Sequence, residues 1–121
     1  MEQVEFLTVE SGDDLIVSFA IRSGPGEIRS LTLMRTPKYE FILEESERGV
    51  NVSDDEREED DGNLLRKIDF GREEVRIVCQ NSDYRLDCSR VDTTEIEDAK
   101  KILQSMNFDG GFRFEINGIL Q

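Results

Sequence analysis

The chain has 121 residues, of which 36% are apolar and 36% charged, with a net charge of -13 at neutral pH. That length allows one hydrophobic core rather than two, and that charge excludes nucleic-acid phosphates and anionic lipid surfaces as partners. Histidine and tryptophan are both missing, which removes imidazole acid/base chemistry, every Ser-His or Cys-His nucleophile and the commonest metal ligand.

The N-terminus, Met1-Glu2-Gln3-Val4-Glu5, is acidic where a secretory leader is basic, and no run approaches the roughly 20 apolar residues a membrane span needs. The expected location is the cytoplasm. The acceptor pattern Asn51-Val52-Ser53 then has no meaning, because glycosylation requires secretion.

Alternation of apolar and polar residues predicts strands over Glu2 to Val9 and Asp14 to Arg22, the second with Leu15, Val17, Phe19 and Ile21 on one face. Ser23-Gly24-Pro25-Gly26-Glu27 reverses the chain into a third strand, Ile28 to Arg35. Thr36-Pro37-Lys38 makes a second turn, and a fourth strand is expected near Tyr39 to Glu44, with Tyr39, Phe41 and Leu43 inward. A short piece at Gly49 to Val52 continues the sheet. An acidic loop spanning 53-63 follows, expected to be mobile because like charges repel and nothing apolar anchors it.

Strands resume at Leu64 to Phe70 and at Glu74 to Gln80. A two-residue turn at Asn81-Ser82 would set Cys79 opposite Tyr84, Ile77 opposite Leu86 and Val75 opposite Cys88, all on one face. The two cysteines are not partners in that register, so two reduced, packed thiols are expected. Val91-Asp92-Thr93-Thr94-Glu95-Ile96 reads as a helix start, with Asp92 as N-cap, Glu95 closing a capping box, and Val91 and Ile96 as a hydrophobic staple. Ile96, Ala99, Ile102, Leu103 and Met106 form its apolar stripe. Asn107 ends the helix, and a last strand is expected at Phe112 to Ile116. The expected fold is a single α+β domain over 1-121, a mainly antiparallel twisted β-sheet of seven to nine strands with one C-terminal amphipathic helix packed on it.

The motifs for catalysis and cofactors fail on spacing. Gly24-Pro25-Gly26 lacks the following Lys-Ser/Thr and helix of a phosphate loop. Placing Gly62 sixth in a calcium loop puts Arg57 first. Two cysteines without histidine cannot complete a zinc site, and Cys79 and Cys88 lack redox spacing. Pairs of carboxylates are too common in so acidic a chain to identify a hydrolase. No catalytic, cofactor-binding or metal-binding residue is assigned, and the chain is read as a binder and not an enzyme.

The charge itself is the most local signal. Glu44 to Asp61 holds ten acids and two arginines, a net of -8, leaving -5 for the other 103 residues. Such concentration steers a basic protein partner, and it singles out Asp54, Asp55, Glu56, Glu58, Glu59, Asp60 and Asp61 as candidate partner-binding residues. The same charge also serves as a solvated loop.

The run Leu15-Ile16-Val17-Ser18-Phe19-Ala20, the later Leu31-Thr32-Leu33-Met34-Arg35, and the closing hairpin and helix resemble a family of small acidic bacterial immunity proteins found beside polymorphic toxins. The resemblance implies a protein that binds and neutralises a cognate toxin, with the acidic segment imitating a phosphate backbone if the toxin is a basic nuclease. Two alternatives stand beside it: a structural or adaptor domain forming a homodimer or other homo-oligomer, and an enzyme using carboxylates alone.

Overall fold

A computed structural model describes residues 1-56 and 62-121. In chain order the elements are β1 (Glu2–Glu10), β2 (Leu15–Gly24), β3 (Glu27–Arg35), two short 3-10 turns (Pro37–Ile42 and Glu45–Glu47), β4 (Asn51–Asp54), β5 (Leu65–Phe70), β6 (Glu74–Cys79), β7 (Asp83–Asp87), α1 (Thr93–Met106), β8 (Arg113–Ile116) and β9 (Ile119–Leu120). All the strands belong to one sheet, in the order β4-β3-β2-β1-β7-β6-β5-β8-β9. The α+β class and the amphipathic helix agree with the sequence.

The sheet is mixed, however, because β1 runs parallel to β7 and β5 parallel to β8. A parallel pair needs a crossover, and β7-α1-β8 is one: the helix carries the chain over the sheet and returns it beside β5. This one crossover gives the β5–β8 pair.

The sheet also curls back on itself. Val52 donates its N–H to Asn63 O (2.9 Å) and Leu65 donates to Val50 O (2.8 Å), with Asn51 bridging Leu64. The free edge of β4 thus meets the start of β5, and seven strands close into a ring with β8 and β9 attached beyond it. Closure covers an edge that would otherwise invite another chain.

The inward faces follow the period-2 pattern. Val17, Phe19, Ile21, Leu31 and Leu33 are fully buried, as are Ile68, Ile77 and Leu86 from the second half. On α1, Ala99, Leu103 and Met106 are buried to the same degree, with Ile96 and Ile102 partly so. The helix lies against β1 and β2.

Three local readings change. First, β1 pairs with β7 only at Glu2 and Gln3, and its register with β2 shifts between Val4 and Phe6. Beyond that bend the Leu7 N–H is taken by Glu95 Oε1 at 2.8 Å, so Glu95 serves a strand donor 88 residues away and Asp92 makes no side-chain cap. The capping box is replaced by a tertiary bond.

Second, the β6–β7 turn falls at Gln80-Asn81, pairing Ile77 with Tyr84 and Val75 with Leu86. The shift is two residues, so every side chain keeps its face. The cause is again distant: Leu64 O accepts from Gln80 N (3.0 Å) and Asn63 Oδ1 from Asn81 N (3.0 Å). Cys79 and Cys88 are buried thiols that form no disulfide with each other.

Third, Tyr39 to Glu44 is not a strand. Leu43 N–H bonds to Glu40 O (2.9 Å) in a 3-10 turn that has Pro37 in its first positions, where proline's fixed φ suits a helical start. The buried residue is Glu40, while Tyr39, Phe41 and Leu43 face outward.

Candidate functional site

Of the seven candidate acids, Asp54 closes β4 and points into the protein. Its side chain is 4% exposed, and its carboxylate accepts from Arg29 Nε (3.1 Å), Tyr84 Oη (3.1 Å) and Glu56 N (3.0 Å). Burial by itself would push this carboxyl up, but the Glu56 N–H and the Arg29 guanidinium outweigh it and hold it below the usual carboxylate range. Arg29 also pairs with Glu2. Asp54 therefore ties β4 to β3 and β7, and through Arg29 to β1.

Asp55 extends the β3–β4 pairing by one residue: its N–H donates to Ser30 O (3.2 Å) and its Oδ2 accepts from Ser30 N (2.8 Å). Glu56 lies 3.7 Å from Arg29 with its side chain 57% exposed. Glu58, Glu59, Asp60 and Asp61 lie outside the described residues. The acids Glu44, Glu45 and Glu47, on the other side of β4 in sequence, are all exposed.

Immediately before those three acids stands a feature that the alternating pattern concealed. Phe41 is 75% exposed, Ile42 70%, and Tyr39 and Leu43 are also in solvent. Four large apolar side chains thus stand in solvent on one short turn. Pro37 was the available clue, since proline at the start of a helical turn is as common as proline in a strand is rare.

A cleft of about 390 Å³ opens between the N-terminal half of α1 and the ends of β5, β6 and β8, with Phe70, Cys88, Ile96, Lys100 and Ile116 among its walls. Its chemistry is quiet. Lys100 Nζ sits 3.3 Å from Glu97 and 5.6 Å above the Phe70 ring. Burial, reinforced by Asp87, pushes the Cys88 thiol up to about 12, so it stays protonated at neutral pH and is a poor nucleophile.

Among the described residues two further carboxylates besides Asp54 are buried, and each is claimed by cations, Glu40 by Arg35 and Glu115 by Arg113 and Lys67. Neither faces a second buried acid. Among the described residues no cluster of three or more Cys, Asp or Glu is arranged to hold a metal ion, and no helix is long and apolar enough to cross a membrane.

No known protein family matches the chain, and no curated protein or solved structure does either.

Proposed function

We propose that the chain is a protein-binding module for a basic protein, and that it acts as an immunity protein that binds and neutralises a cognate toxin. The observation that carries the binding reading is the juxtaposition, in one surface segment, of the exposed Phe41, Ile42 and Leu43 with the exposed Glu44, Glu45 and Glu47. Apolar side chains give an interface its affinity, and a charged surround gives it on-rate and selectivity. The immunity role rests on the sequence resemblance.

The test is co-expression with the protein encoded beside this chain's gene. The expected result is restored growth of a host that the neighbour otherwise kills, with co-elution of the two proteins. Replacing Glu44, Glu45, Glu47, Glu56, Glu58, Glu59, Asp60 and Asp61 by their amides should lower the association rate constant about tenfold or more at low salt and flatten its salt dependence. Growth inhibition that continues with no complex formed would overturn the immunity role.

A homo-oligomeric structural or adaptor domain is favoured by one feature, the last strand. β9 ends the sheet with Ile119 and Leu120 both exposed, which is an open apolar edge. Sedimentation at micromolar concentration distinguishes the two readings, since the binder is expected to be a monomer.

A further inference from the structure

The exposed turn at 39–43 is attached to the end of α1 through one buried side chain. Arg35, the last residue of β3, is only 2% exposed, yet all five of its N–H donors are used. Nε and Nη2 form a fork onto Glu40 Oε2 (2.6 Å) and Oε1 (2.9 Å). Nη1 donates to Met106 O (2.8 Å) and Asp109 Oδ1 (2.9 Å), and Nη2 donates also to Asp109 Oδ2 (2.8 Å). The Phe108 ring lies over the guanidinium, 4.1 Å from its carbon, while remaining 60% exposed.

Burying a guanidinium is costly, and an apolar residue of similar volume would join a strand to a helix end at least as well. What the charged knot does that an apolar contact would not is fix direction. Its planar fork sets Glu40 at one angle, and so sets the neighbours Tyr39, Phe41 and Ile42, while the same plane holds Phe108 from a segment about 70 residues away in sequence.

We infer that Tyr39, Phe41, Ile42, Leu43 and Phe108 form one docking surface, that Arg35 is its positioning residue, and that its occupant is a protein patch with an apolar centre and a basic rim. The occupant's charge follows from the knot and its surroundings. Arg35 is matched by two carboxylates, Glu40 and Asp109, and the turn runs directly into exposed Glu44, Glu45 and Glu47; Lys38 over the Tyr39 ring and Arg48 on the Leu43 carbonyl are the cations nearby, so the five acids outnumber three bases and the surround is net negative. This inference rests on the protein-binding reading and adds to it a second segment and a cause for its shape.

The test uses the whole chain, isotope-labelled, and an amphipathic Leu/Lys helical peptide as probe. Binding should shift the amide resonances of residues 39–43 together with those around Phe108, and Phe108→Ser should weaken the peptide about tenfold, the size of a modest hot spot. Shifts confined to the acidic residues, with Phe108→Ser neutral, would overturn the composite surface while leaving a basic partner in place. No binding at all would overturn both. The positioning role is read separately by hydrogen exchange in Glu40→Gln: amides at 39–43 and at 107–110 should speed up together, with β2 and β6 unchanged. Faster exchange in only one of the two segments would sink it.

Discussion

Neutralising Asp54 tests an acid that builds the fold, apart from the exposed acids of the proposed binding surface. In Asp54→Asn the side chain keeps its shape but loses its charge, and with it the full strength of the bonds from Arg29 (3.1 Å) and Tyr84 (3.1 Å). Bonds to charged groups are worth about 1.5–3 kcal/mol each. The amide carbonyl preserves part of this, and Arg29 retains Glu2 and Glu56, so the net loss should be about 2–4 kcal/mol. Screening reduces this little, because the two side chains are 4% and 10% exposed. For a chain of this length that corresponds to a fall in Tm of roughly 6–15 °C.

The pH dependence fixes the sign. A carboxyl held below its ordinary value of 3.8 stabilises fully above that value, and the stability is lost as pH falls through the lower, folded-state value. Urea titrations should therefore show a gap between wild type and Asp54→Asn at pH 7 that closes below about pH 4 as the wild-type carboxyl protonates. A gap under about 0.5 kcal/mol at pH 7, or one that persists unchanged at pH 2, would refute the structural role given to Asp54.

Leu103, fully buried on the face of α1 that meets the sheet, should cost about 2–5 kcal/mol when replaced by Ala, read as a lower urea midpoint with little change in slope. Cys88, with its thiol pushed up to about 12, should be alkylated at pH 8 at least about 100-fold more slowly in the native protein than in denaturant, followed by intact mass; native labelling at the denatured rate would contradict its burial.

The sequence was most legible where structure is local. The core faces of β2 and β3 and the helix stripe follow from side-chain periodicity within a dozen residues. The errors share a different origin. Glu95 leaves the helix N-terminus for Leu7, and the β6–β7 turn moves because Asn63 and Leu64 hold it. In both cases a local rule was valid, but a long-range donor or acceptor made the stronger claim. One local signal was also overlooked: Asn117-Gly118, with φ of 51° and 77°, is the dipeptide that favours a two-residue hairpin turn and accounts for β9.

The segment from Tyr39 to Leu43 shows most clearly why the candidate site was harder to read than the fold. Alternation at Tyr39, Phe41 and Leu43 satisfies a strand template, and the template assumes that apolar means inward. Here the inward residue is Glu40, because Arg35 offers it a fork in a place already enclosed by the end of α1. Once that acid is buried, a 3-10 turn obliges its neighbours to face out. A carboxylate buried by an ion pair thus determines which apolar side chains are surplus to the core. Folding gains nothing from exposing Phe41, Ile42 and Phe108, which is why the proposed docking surface is placed on them.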